Sequence, residues 1–210
     1  MRPMQKVNLK KITLPNGLRL LLIPKPGVAT TALILVSAGS EYEKKRINGL
    51  SHFLEHMVFK GTTARPKPGM TAEALDALGA EYNAFTSQEF TGYWAKAENR
   101  KLPELLELIS DLHLDPRFAK EEIEKERGVI IEELNMYEDI PMRKIHDIFP
   151  ALLYGDQPAG WDVGGTKEVI ATLSRSDFLK YREERYVASG TVIAIAGEFD
   201  AAAITRYVRK

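Results

Sequence analysis

The chain has 210 residues, 29 Lys+Arg against 29 Asp+Glu, four His and no Cys. Its length and 44% apolar content are those of one globular domain with a sizeable core. Zero net charge argues against a basic nucleic-acid binder or a polybasic membrane-surface protein, and the lack of cysteine excludes disulfides, thiolate zinc sites, iron–sulfur clusters and a cysteine nucleophile.

The start, Met1 to Lys11, is basic but carries no apolar stretch, so no signal peptide is read. Leu9–Leu14 and Leu18–Ile23 flank Pro15-Asn16-Gly17, whose Asn-Gly pair tolerates a tight turn, so a β-hairpin is expected. Thr30–Ser37 is β-branched and apolar, a third strand. Gly49–Lys60 and Thr71–Leu78 are expected helices, the second capped by Thr71. Glu81–Ser87 and Phe90–Ala97 alternate as strands, and Leu102–Leu114 is an amphipathic helix that stops at Asp115-Pro116. His113, at the end of that helix, is expected to act as a cation favourable to its C-terminus.

Ala119–Asp139 has no internal Pro and is expected as one long helix, followed by a helix over Met142–Leu153. Gly155–Gly165, with four Gly and one Pro, is a loop. Ser176–Tyr186 is a helix, Thr191–Ala196 a strand, and a helix starts at Ala201. The expected fold is α+β, a mostly antiparallel sheet packed against several helices, in a single domain over residues 1–210. The apolar runs Leu18–Ile23 and Ala32–Val36 fall far short of the ~20 residues of a spanning helix, so a cytoplasmic chain without a membrane partner is expected.

The chemistry sits in His52-Phe53-Leu54-Glu55-His56. Two His four residues apart on a helix lie one turn apart on the same face and can reach one ion. Stepped at about 100° per residue, His52, Glu55, His56 and Phe59 fall on one side, while Leu50, Phe53, Leu54 and Met57 fall on the other. A metal-activated water beside a carboxylate is the arrangement of metal-assisted hydrolysis. The same spacing also occurs on helices that hold nothing, and a third ligand is needed.

The long helix can supply one. Its apolar stripe of Ile123, Ile130, Leu134 and Tyr137 has Glu122, Glu126 and Glu133 along one edge, while Glu132 falls nearly opposite and faces solvent. Periodicity alone leaves Glu126 and Glu133 open between a site role and a solvated helix face.

At these residues the sequence resembles the pitrilysin, insulysin and mitochondrial-processing-peptidase family of zinc peptidases, in its N-terminal half. The resemblance is carried by the inverted motif His52-x-x-Glu55-His56 within Gly49-Leu50-Ser51-His52-Phe53-Leu54-Glu55-His56-Met57-Val58-Phe59-Lys60-Gly61-Thr62. Asn83-Ala84-Phe85-Thr86-Ser87, Glu126-Arg127-Gly128-Val129-Ile130-Ile131-Glu132-Glu133, Gly155-Asp156-Gln157-Pro158, Gly164-Gly165-Thr166 and Tyr186 through Asp200 match further family landmarks. Bacterial processing-peptidase-like members are the most similar branch.

The resemblance implies a zinc-dependent endopeptidase that hydrolyses short or unfolded peptides, with one zinc ion held by His52, His56 and Glu133. Glu55 would be the general base. Glu126 would support catalysis, and Asn83, Ala84 and Phe85 would pair through their backbone with an extended peptide substrate. Family members are about twice as long, in two similar halves. A truncated chain is therefore expected, partnered by a C-terminal half-domain, another subunit or a second copy, and weak or inactive as an enzyme without it. The alternative is a non-catalytic peptide-binding or assembly subunit, which would normally have lost His52, Glu55 or His56. A closed structural zinc site would have no use for Glu55.

Overall fold

A computed structural model describes residues 8–209; most of the basic start lies outside them. The elements follow the order β1 (Lys10–Thr13), β2 (Arg19–Pro24), β3 (Ala29–Val36), α1 (Leu50–Val58), α2 (Met70–Ala77), β4 (Glu81–Thr86) and β5 (Thr91–Glu98). Then come α3 (Leu102–Leu114), α4 (Lys120–Glu138), α5 (Pro141–Tyr154), α6 (Lys167–Thr172), α7 (Arg175–Arg185), β6 (Thr191–Gly197) and α8 (Ala201–Val208). The expected α+β fold is found. The short helix α6 was not expected: it offers one fully buried side chain, Ile170, and too few turns for a periodicity.

The strands form one sheet in the order β1-β2-β6-β3-β5-β4. All pairings are antiparallel except β2 with β6, which run parallel. β6 therefore closes the sheet from far along the chain, setting Leu20 opposite Ile193. The β1–β2 turn uses Gly17 at φ +90° and the Asn16 side chain, which accepts from the Leu18 amide at 3.2 Å.

Alternation along the strands buries one face. Leu20 and Leu22, Thr30, Ala32, Ile34 and Val36, and Tyr93, Ala95 and Ala97 point into the core, where α3 covers β3 and β5, α1 also packs on β5, and α8 packs on β2. α1 lies against β4, β5, α4 and α7, so both helices bearing the candidate site pack on each other beside the β4 edge.

Two local expectations are corrected. α2 is capped not by Thr71 but by Gly69, whose φ of +87° starts the helix one residue earlier and puts the buried Thr71 inside it. His113 is not a cation at the end of α3. It is buried, and burial, then the Arg182 charge, push its pKa down to about 4. The cation at that helix end is Arg182, which donates to the carbonyl oxygens of His113, at 3.1 Å, and Leu114.

α5 is amphipathic the wrong way round. Its half-buried residues are Lys144, Asp147 and Pro150, whereas Met142, Phe149 and Leu152 are 78%, 62% and 81% exposed. Nothing within the described residues covers this apolar stripe.

His113 predicts a pH dependence. Its unfolded-state pKa is near 6.5 and its folded value about 4, so between them the unfolded chain binds the extra proton. Its contribution to stability is complete above about pH 6.5 and is lost as pH falls toward 4. Urea unfolding of metal-free protein should show about 2 kcal/mol of His113-dependent loss between pH 7 and pH 5. His113→Leu should flatten the slope by that amount; an unchanged slope would contradict a buried neutral imidazole.

Candidate metal centre

α1 starts where only glycine fits. Gly49 has φ +94°, and a Cβ there would meet the Gly164 carbonyl oxygen at 2.4 Å. The helix has no side-chain cap from its own N-cap residue. The buried Glu43 caps it instead. Its Oε2 accepts from the Gly49 amide at 2.7 Å and Asn48 Nδ2 at 3.1 Å, and its Oε1 accepts from the Ser51 amide at 2.6 Å. Ser51 Oγ also bonds Tyr181 OH at 2.8 Å. Phe53, Leu54, Met57 and Val58 fill the core, so His52, Glu55 and His56 are turned to the opposite, half-open side.

Two imidazole nitrogens meet there: His52 Nε2 lies 3.2 Å from His56 Nε2. α4 brings Glu133 Oε2 to 3.8 Å from the first and 3.5 Å from the second. Around a tetrahedral zinc with bonds of about 2.0–2.1 Å, neighbouring ligand atoms stand roughly 3.3 Å apart. The three side chains thus have the spacing of three corners of such a site, and no other His/Asp/Glu group among the described residues was found to converge in this way.

The protonation pattern fits a cation as well. His56 Nδ1 lies 3.0 Å from Glu126 Oε1, which makes Nδ1 the protonated nitrogen and leaves Nε2 a bare lone pair when the ring is neutral. Glu126 is buried, and its other oxygen pairs with Lys60 Nζ at 2.6 Å. Burial would raise the Glu126 pKa, but His56 and Lys60 outweigh it and hold it down. Burial would lower the His56 pKa, but the Glu126 hydrogen bond and the charges of Glu133, Glu126 and Glu55 raise it. His52 is driven down to about 4 by burial, then by His56, so it is neutral at pH 7. Two facing nitrogens with one carboxylate oxygen beside them form a natural cradle for a divalent ion of borderline softness.

Glu55 stands beside this cluster without joining it. Its Oε2 accepts from Thr86 Oγ1 at 2.5 Å, and burial raises its pKa above the ordinary carboxylate value despite that bond. Glu132, as expected, is exposed on the other side of α4.

β4 is one of the two edge strands of the sheet, opposite β1. Hollows lie on either side of the cluster. One, of about 290 Å³, is lined by His52, Thr86, Tyr137 and Arg143, and the other, of about 260 Å³, by Glu55, His56, Asn83 and Ala84. The Ala84 amide donates to Asn83 Oδ1 at 2.9 Å. The Phe85 ring lies over Gly92, where any Cβ would strike it at 2.3 Å, so the ring is folded against the neighbouring strand.

Four participants escaped the sequence reading. Lys60 and Tyr137 sit one turn after His56 and Glu133; the Tyr137 hydroxyl donates to Glu133 Oε1, which leaves Oε2 for the centre. The four-residue spacing was the available signal for both. Glu43 and Thr86 come from a loop and a strand end, where no periodicity points to them.

The family model described as Insulinase (Peptidase family M16) matches residues 19–167. The chain is 36% identical over 190 residues to YmxG of Bacillus subtilis, named an uncharacterized zinc protease, covering 90% of this chain and 46% of that protein. It is also 36% identical over 198 residues to the mitochondrial-processing peptidase subunit beta of Caenorhabditis elegans, covering 94% of this chain and 43% of the relative. In fold, a protease from Helicobacter pylori superposes with a TM-score of 0.91 at 24% identity, over 97% of this chain and 49% of that one. The chain therefore spans about half the length of the curated relatives it matches.

The geometry separates the carboxylates. Glu133→Gln should weaken zinc binding about tenfold or more, and Glu126→Gln about 10–100-fold through loss of the His56 tether. Glu132→Gln should leave affinity within about twofold, since its side chain is solvated. Chelator competition measures all three; equal losses at Glu132 and Glu133 would contradict the helix-face assignment.

Proposed function

The chain belongs to the insulinase peptidase family, M16, and we propose that it is the metal-holding, base-bearing domain of a zinc endopeptidase. The observation that carries this reading is the convergence of His52 Nε2, His56 Nε2 and Glu133 Oε2 at tetrahedral spacings beside Glu55, in a groove along a free strand edge. The zinc-protease names of the relatives support zinc as the ion, and the single cluster supports one ion.

His52, His56 and Glu133 would hold the ion. When bound, the zinc lowers the pKa of water and polarises a carbonyl oxygen. The chain's own residues do the rest. An extended peptide lies along the open edge of β4 at Asn83 to Phe85 and bonds the outward backbone groups of Ala84, a recognition that tolerates many sequences. Glu55, with its pKa raised by burial, takes a proton from the attacking water as its oxygen bonds the carbonyl carbon. It then returns that proton to the amide nitrogen as the C–N bond breaks, so the carboxylate ends as it began. Glu126 fixes the His56 ring and Tyr137 the Glu133 carboxylate.

The substrates are short or unfolded peptides, since only an extended chain can add to a strand edge. Residues 1–210 act as one domain, and a second half closes over it, as a further domain, a partner subunit or a second copy. The half-length coverage of the relatives and the uncovered apolar stripe of α5 support that partner. No helix among the described residues is long and apolar enough to cross a membrane.

Zinc-loaded protein supplied with a C-terminal half should cleave an unstructured peptide, the chain alone should be weak or inactive, and Glu55→Gln should retain zinc while losing about 100-fold or more in rate. A Glu55→Gln variant as fast as the wild type would sink the assignment of the base.

A further inference from the structure

Glu55 is held from below by the residue that ends the edge strand. Thr86 has one hydroxyl proton and two acceptors nearby, Glu55 Oε2 at 2.5 Å and Thr91 Oγ1 at 3.4 Å. The nearer, charged oxygen takes it. Thr91 has its own proton committed to the Ala38 carbonyl at 2.9 Å, so it offers Thr86 a lone pair and cannot compete for Glu55. With Oε2 engaged, Oε1 is the Glu55 oxygen available to take a proton.

Thr86 also occupies a particular place in the sheet. The Ser87 amide donates to the Phe90 carbonyl at 2.9 Å, so Ser87 and Phe90 form a hydrogen-bonded pair. Alternation along the antiparallel ladder makes Phe85–Gly92 and Asn83–Trp94 the next bonded pairs. The backbone N–H and C=O of Thr86 and Ala84 therefore point to the open edge. The Ala84 amide agrees, since it bonds the Asn83 side chain rather than β5. Thr86 thus presents backbone groups to the edge and its side chain to Glu55.

Resting on the peptidase reading above, we propose that Thr86 is a positioning residue that ties the Glu55 carboxylate to the strand register at which an extended peptide pairs. The bond sets which Glu55 oxygen faces the reaction. The strand that seats the peptide then also seats the base.

The test has a structural arm and a kinetic arm. In metal-free protein, NMR should find a slowly exchanging Thr86 hydroxyl proton in contact with the Glu55 side chain, and Glu55→Ala should abolish it. In the zinc-loaded chain supplied with a C-terminal half, Thr86→Val, close in shape but without the hydroxyl, should lower kcat for an unstructured peptide about tenfold or more. KM and zinc affinity should stay within about twofold, and Thr86→Ser should restore kcat to within about threefold. A core defect would not give this split or this rescue. An unprotected Thr86 hydroxyl overturns the proposal. So does a Thr86→Val enzyme at wild-type kcat while Glu55→Gln is dead, a result that leaves the peptidase reading standing. A wild type no faster than Glu55→Gln would instead defeat the peptidase reading, and the NMR arm alone would then decide whether Thr86 holds the carboxylate.

Discussion

Two imidazole nitrogens on successive turns of α1 face each other at 3.2 Å, and most of the surrounding structure serves to hold them there. Neutral nitrogens so placed point lone pairs at one another, an arrangement that is unfavourable without a proton or a cation between them. The protein constrains it from both ends of the helix. Glu43 clamps the first turn through the Gly49 and Ser51 amides, and Gly49 and Gly165 let the 162–165 loop press against that turn. Glu126 fixes the His56 ring from α4. The loop contact and the Glu126 bond cross between elements distant in sequence, whereas the Glu43 clamp is local.

Carboxylates that look alike in the sequence are divided by their second partners. Glu126 has both oxygens engaged, by His56 and Lys60, and cannot serve as a base while they are. Glu133 has one oxygen held by Tyr137 and the other directed at the two imidazoles. Glu55 has one oxygen held by Thr86, at the rim of the groove. One oxygen tethered and one offered is the common pattern of the latter two, and it preorganises each carboxylate.

Much of this was legible from periodicity. The 3.6-residue repeat separated the His/Glu face of α1 from its buried face and put Glu132 in solvent. The Asn16-Gly17 turn and the alternation of β4 and β5 were equally plain. What was missed depends on contacts that leave no local pattern. Glu43 reaches its partners from a turn, β6 enters the sheet between β2 and β3, and the 3.0 Å bond to Glu126 needs two helices packed at the right depth. His113 was misread because a cation at a helix end and a buried neutral imidazole have the same sequence; only burial separates them. The outward apolar stripe of α5 is likewise invisible to a helical wheel, which gives a face but not its direction.

The central claim is that one ion sits among His52, His56 and Glu133. Crystals of the chain grown with zinc and measured across the zinc absorption edge test it directly. The account predicts a single anomalous peak within about 2.0–2.2 Å of both Nε2 atoms and a Glu133 oxygen, with Glu126 bonded to His56 and not to the metal. A peak elsewhere, or one coordinated by Glu126 in place of Glu133, would contradict it.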